Sequence, residues 1–257
     1  MSSYFLYDSI NMYRSDATIS EGTFSTDTFS VNSSAFTGDT HKRCADQNIG
    51  TGAEGVSAND AVCYQVGSAV NSDALAVYFS GDDGVVAGGD EMTIYTGTAI
   101  DDLSSSGNFA STHSGWVVKT YTEVTSKTKF CVEFNEALTN CAEILIGKKL
   151  AFEVEPDMNV QSSKDYGTMV QRCIGGVEYS INTHDGIDQI TLSFQNISST
   201  FKDNLNTMMD AIKGSNKKFL YYDGSSYFWM RMAKNLVFNE VANNRFSTQI
   251  VMNKQLQ

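Results

Sequence analysis

The chain has 257 residues, 41% hydrophobic and 11% aromatic, and carries 18 basic against 30 acidic side chains for a formal net charge of −12. That length fits one large core or two ordinary ones, and two are expected. No apolar run approaches the ~20 residues of a membrane span, and the start, Met1-Ser-Ser-Tyr-Phe-Leu-Tyr-Asp, lacks the basic-then-apolar order of a secretory leader; membrane insertion is not expected and synthesis in the cytoplasm is.

The acidity is uneven. Residues 1–150 hold 8 basic and 19 acidic residues, a net −11, whereas residues 151–257 hold 10 and 11, a net −1. A first half of that sign repels phosphates, which argues against nucleic acid and leaves neutral, cationic or proteinaceous partners. The five cysteines, Cys44, Cys63, Cys131, Cys141 and Cys173, are odd in number and include no C-x-x-C pair, so neither disulfides nor zinc is expected. Cys63 in AVCYQV and Cys131 in KFCVEF read as small buried hydrophobes.

Residues 1–59 form an N-terminal arm or the start of a β domain. They are rich in Ser, Thr, Gly, Asp and Asn, with Tyr4, Phe5, Tyr7, Tyr13, Phe24, Phe29 and Phe36 spaced among them. These aromatics either pack on the adjacent sheet or dock on a neighbour. Residues 60–155 are plainly β: AVCYQV, ALAVYFS, EMTIYTG, GWVVKTYTEV, KTKFCVEF and AEILIGKKLAFEV are separated by Gly/Ser/Asp turns. Their spacing predicts a β-sandwich or jelly roll. In GWVVKTYTEV, Trp116, Val118, Thr120 and Thr122 alternate with Val117, Lys119, Tyr121 and Glu123, the two-faced pattern of a sheet. Pro156, the one proline, closes the last strand and opens a linker over 156–173.

Residues 174–257 predict a small α+β domain, an antiparallel sheet with one amphipathic helix. Ile190, Leu192 and Phe194 alternate with polar residues as in a half-buried strand. Phe201, Leu205, Met208, Met209 and Ile212 then fall on one helical face, with Ser198, Ser199 or Thr200 to cap it and Gly214 to stop it. A hairpin turning at Asp223-Gly224 and two strands meeting around 242–244 complete a four-strand meander. The fold class is thus mainly β: an N-terminal sandwich followed by this α+β unit.

No catalytic signature is present. His41, His113 and His184 have neither metal-ligand spacing nor a nucleophile nearby and read as loop residues facing solvent. Gly88-Gly89 and Gly175-Gly176 lack the spacing that cradles a pyrophosphate and read as turns. Asp82, Asp83, Asp90 and Glu91 in GDDGVVAGGDE are a weak calcium candidate, because hard oxygen ligands on a loop suit that ion but the spacing is not an EF-hand's. No cofactor is expected. Interface or glycan candidates are Trp116 and Tyr121, with Tyr95 beside them, and the cluster Tyr221, Tyr222, Tyr227, Phe228 and Trp229, whose alternate members must also serve a core.

The segments ILIGKKLAF (144–152), CIGGVEYS, DQITLSFQNIS with the helix after it, KFLYYD and VANNRFSTQIVM resemble the C-terminal pattern of tail proteins of tailed bacteriophages. In that family a discoidin-like, galactose-binding-type jelly roll precedes the ILIGKKL-like strand. The resemblance implies a non-enzymatic virion structural protein at the tail tip, distal tail or fibre attachment. Its partners would be other copies of itself and other tail proteins. The alternative it leaves open is a carbohydrate- or host-receptor-binding module displayed on the virion, with a host surface glycan as partner.

Overall fold

The computed structural model describes residues 3–10, 17–25, 28–32, 35–46, 48, 51–79, 92–99, 102–109, 115–135, 138–157, 161–166, 168–172, 178–182 and 186–255. Among these the fold is mainly β, with antiparallel pairing in every ladder whose register is described, and one α-helix. The chain forms two compact units, Leu6–Lys149 and Met1–Phe5 with Leu150–Gln257. The first ten strands are β1 (Tyr4–Ile10), β2 (Ala17–Ser25), β3 (Thr28–Val31), β4 (Ala53–Val56), β5 (Asp60–Phe79), β6 (Met92–Gly97), β7 (Ser104–Phe109), β8 (Gly115–Phe134), β9 (Leu138–Cys141) and β10 (Glu143–Ala151), with a 3-10 helix at Thr37–Ala45.

The larger unit is organised by β5 and β8, each of 20 residues. Their ladder is regular from Ala61↔Glu133 to Gln65↔Lys129 and again from Ala74↔Thr120 to Phe79↔Gly115, and it shifts register between. The shift changes which parity of residues faces inward. Val62, Tyr64 and Val66 at one end of β5 and Leu75, Val77 and Phe79 at the other therefore all enter one core, with Phe130, Val132 and Phe134 of β8. Bulges of this kind let one strand serve two layers of a sandwich. One layer holds β3, β2, the first half of β5, the second half of β8, β6 and β7; the other holds β10, the second half of β5 and the first half of β8. The predicted β-sandwich is observed.

The other face of the first layer is buried too, by Phe24 and Phe29 from the β2–β3 hairpin packed over Ala61, Cys63, Tyr95 and Cys131. That double burial explains why AVCYQV and KFCVEF read as continuous apolar runs rather than alternating ones. It also brings Cys63 directly opposite Cys131, with Cα atoms 4.0 Å apart, and the two are joined as a disulfide. The expectation of no disulfide is corrected here: spacing along the chain cannot reveal two cysteines 68 residues apart that meet across a ladder. Cys44 and Cys141 remain buried thiols, Cys44 Sγ donating to the Cys141 carbonyl at 3.3 Å. The aromatics Tyr4, Phe5, Tyr7, Phe24, Phe29 and Phe36 of the N-terminal segment are all buried. His41, expected in solvent, is 4% exposed and lies 3.4 Å from the Glu21 carboxylate, which also accepts the Phe36 N–H. Tyr13, His113, His184 and Cys173 lie outside the described residues.

The second unit adds β11 (Gln161–Asp165), β12 (Thr168–Arg172), β13 (Glu178–Asn182), β14 (Ile187–Ser198), α1 (Ser199–Ala211), β15 (Lys218–Tyr222), β16 (Tyr227–Met232), β17 (Phe238–Ala242) and β18 (Arg245–Lys254). Ser198 caps α1, its hydroxyl accepting the Phe201 N–H at 3.1 Å. Phe201, Leu205, Met208 and Ile212 are buried, and Gly214 at φ +65° ends the helix with its N–H on the Met209 carbonyl. The strands do not form the expected meander. Their order is β11-β14-β18-β16-β15, with β17 also on β18. The ten residues of β18 are enough to pair β17 through 245–248 and β16 through 252–254, so the two share one edge of it. A separate ribbon, β12 with β13, pairs with no other described strand, and exposes Met169, Val170 and Tyr179 by 54–57%.

Candidate functional site

The sandwich unit presents one row of ligand-binding side-chain types. Where β10, β5 and β8 run side by side, Glu143 stands directly across from Tyr78, and Tyr78 directly across from Trp116. Directly opposed residues of antiparallel strands share a face, so a carboxylate, a phenol and an indole lie in sequence across three strands. The Tyr78 and Trp116 rings sit 5.2 Å apart at 55°. Both are half-buried, whereas Glu143 is 2% exposed. Gly115, just before Trp116, has φ +94° and open space where a Cβ would be. Its left-handed backbone, which glycine adopts without strain, begins β8.

A half-buried indole and phenol offer an apolar surface for stacking. Glu143 beside them is buried, so the two rings are the accessible part of the row.

The other residues singled out from sequence are placed elsewhere. Tyr121 is not brought together with Trp116: it packs against the sandwich core from the opposite parity of β8 and shares a hydrogen bond with the Ser72 hydroxyl, and burial pushes its own hydroxyl pKa well above a phenol's usual range. Tyr95 is a core residue, stacked on Phe24 at 4.3 Å and donating to Glu133 at 2.9 Å. Trp229 is fully buried, and Tyr221 and Tyr222 are 4% and 8% exposed. These three belong to the aromatic core of the C-terminal unit, where Phe5 packs edge-on to Phe152 and Phe219. Tyr227 and Phe228 are half-buried; Tyr227 shares a hydrogen bond with the Tyr4 hydroxyl at 2.9 Å, and Phe228 has Lys254 over its ring at 5.3 Å. Asp82, Asp83, Asp90 and Glu91 lie outside the described residues, and among the described residues no three His, Cys, Asp or Glu converge to hold a metal.

The sequence singled out Trp116 but not Tyr78 and Glu143, which the register places in the same row. Tyr78 ends the run ALAVYFS just before a turn, the usual place for a side chain at the rim of a sandwich. Its partners could only be named once the register of β5 was known.

No family model and no curated protein matches the chain. Solved structures to which it is similar include a chitosan-binding module from a chitosanase/glucanase of Paenibacillus sp. IK-5, at 12% identity and TM-score 0.40, over 55% of this chain and 98% of that one. The CBM32 of AlyQ in complex with 4,5-unsaturated mannuronic acid is similar at 16% identity and TM-score 0.38, over 58% and 98%. A family 32 carbohydrate-binding module of Clostridium perfringens NanJ in complex with galactose is similar at 12% and 0.37, over 56% and 98%. At these values no ligand is carried over to this chain.

Proposed function

We propose that the sandwich unit binds carbohydrate and that the chain works by attachment rather than catalysis. The observation that supports this reading is the row Glu143–Tyr78–Trp116, a half-buried aromatic pair beside a buried carboxylate on one sheet face. The rings receive the apolar face of a sugar. A net −11 over residues 1–150 favours neutral or amino-bearing saccharides over sulfated or phosphorylated ones. A glycan array probed with the whole chain tests the reading: binding to a saccharide class that is lost in Trp116→Ala supports it, and silence across the array removes it.

A second reading is favoured by the solitary β12–β13 ribbon. Two-stranded ribbons are marginal in water on their own, and this one carries Met169, Val170 and Tyr179 more than half exposed. Protein surfaces of that kind are usually covered by a partner. With the resemblance of segments between residues 144 and 252 to phage tail proteins, it makes the chain a structural subunit of a tail, in the virion, that associates with its own copies and with other tail proteins. The two readings are compatible, since a subunit of an assembly can display a glycan-binding unit. Met169→Asp with Tyr179→Asp is expected to abolish self-association in sedimentation while leaving glycan binding intact; a wild-type chain that stays monomeric at all concentrations and alongside other tail proteins contradicts the second reading.

A further inference from the structure

Two free thiols meet inside the sandwich unit. Cys44 lies in the last turn of the 3-10 helix Thr37–Ala45 and Cys141 ends β9, and both are fully buried in the sandwich core. Cys44 Sγ donates to the Cys141 carbonyl at 3.3 Å. The two thiols are also hydrogen-bonded to one another, and that bond, then burial, hold the Cys141 thiol well above its usual pKa. The residues are 97 apart in sequence, so only the fold brings them together.

Both backbones are held in place. The Cys44 carbonyl accepts from the Tyr64 hydroxyl at 3.4 Å, which ties the end of the helix to β5. Cys141 stands directly across from Ala53 of β4. Between Cys44 and Ala53 the chain is tightened by the Asp46 carboxylate, which accepts from the Asn48 N–H and the Thr51 hydroxyl, each at 2.8 Å. With sulfur already beside sulfur, side-chain rotation is the main movement a bond between them needs. Small hydrophobes would fill the same space, but only cysteines could bond across it. The same unit already holds Cys63 joined to Cys131, so a second crosslink needs no environment that the first does not.

We infer that Cys44 and Cys141 are an oxidation site that closes reversibly into a second disulfide and clasps the 3-10 helix to β9, with a small-molecule disulfide of the glutathione type as oxidant. With the Cys141 thiol held protonated, the Cys44 thiolate makes the first attack on one sulfur of the oxidant, releases half of it as a thiolate and leaves a mixed disulfide. Cys141 then passes its proton to a departing thiolate and attacks Cys44 Sγ, expelling the other half. The cysteine sulfurs give up two electrons and two protons, and one small disulfide becomes two small thiols. Both thiols are shielded from solvent in the closed core, so the exchange passes through brief lifting of the helix, and the finished crosslink suppresses that lifting. It also fixes the strand end beside the aromatic row, where the Ala142 N–H donates to the Tyr78 carbonyl at 2.9 Å. The inference does not rest on the carbohydrate reading, because its test follows thiols.

The full chain, as isolated, is equilibrated in glutathione buffers from reducing to oxidising, once without urea and once in urea below the unfolding midpoint, which makes opening more frequent. Samples are quenched in acid, denatured, alkylated, digested and read by mass spectrometry. A peptide pair linked through Cys44 and Cys141 is expected in the oxidising buffers and is lost on return to the reducing ones. Cys173→Ser should form the same pair, and Cys44→Ala should form no link to Cys141. Oxidation should slow backbone hydrogen exchange in Thr37–Ala45 and Ala53–Val56 about tenfold or more in wild type and not in Cys44→Ala; a merely space-filling pair would leave exchange unmoved. The inference is overturned if the linked peptide is missing with and without urea, if either thiol ends only as a mixed disulfide with glutathione, or if exchange in the helix is the same in oxidising and reducing buffers.

Discussion

The two units of this chain solve the same problem, covering β-sheet surface, by different means. In the sandwich unit one pair of long strands supplies both layers, because the register shift between Gln65 and Ala74 changes the inward-facing parity of β5, and the core is closed by aliphatic and aromatic residues from both ends. In the C-terminal unit a helix capped by Ser198 and a cluster of aromatics, Phe5, Phe152, Phe194, Phe201, Phe219 and Trp229, cover one sheet. The sandwich is held by long-range ladder geometry, and the smaller unit by side-chain volume and local capping. Substitutions should therefore hurt the two in different ways.

The largest effect is expected at Trp229. It is fully buried, and Trp229→Ala should cost about 3–5 kcal/mol through lost burial and the cavity left behind, read as a lower urea midpoint. A cost under about 1 kcal/mol would mean that the aromatic cluster is not what holds the smaller unit. Next is the Cys63–Cys131 bond, which closes a loop of 68 residues in the sandwich. Replacing both cysteines by alanine should cost about 2–4 kcal/mol, and thiol titration of the unreduced protein should find that pair blocked. Free thiols at both positions would return the region to the sequence-based expectation.

A smaller effect separates capping from packing. Ser198→Ala removes the acceptor of the Phe201 N–H and a contact to the Glu153 carboxylate, for an expected ~1 kcal/mol that falls on the helical unit alone. Smallest is a difference in the sign of the response to acid. Asp60 and Asp73 in the sandwich have raised pKa values, chiefly through burial. For a raised acid the folded state binds a proton before the unfolded one, so mild acidification toward their folded values stabilises that unit. The Asp223 carboxyl is depressed, so its contribution is present above the unfolded value and lost as pH falls through the folded one. Asp73→Asn and Asp223→Asn should flatten opposite slopes in stability measured against pH; slopes of the same sign would break the contrast.

Local patterns carried much of the fold. The period of Phe201, Leu205, Met208 and Ile212, the cap at Ser198 and the stop at Gly214 were readable because helix signals lie within a few residues of one another. Turn residues between short apolar runs were enough for a β-sandwich. What escaped was whatever depended on register: the disulfide, the two-sided burial of β5 and β8, the sharing of β18 by β16 and β17, and the Glu143–Tyr78–Trp116 row. Each joins residues that no spacing rule connects, since a one-residue slip would place them on opposite faces. Trp116 was visible as a candidate by type, and its alternation with Tyr121 along β8 already set the two on opposite faces.

The central claim, that the row on β10, β5 and β8 binds carbohydrate, is tested most directly by titrating the full chain with the best saccharide from an array while following the Trp116 indole by fluorescence or NMR. The account predicts a saturable change at Trp116 and a loss of affinity of about tenfold or more in Trp116→Ala, with Tyr78→Ala close behind. Saccharide binding that leaves the indole signal unmoved and survives both substitutions would contradict it.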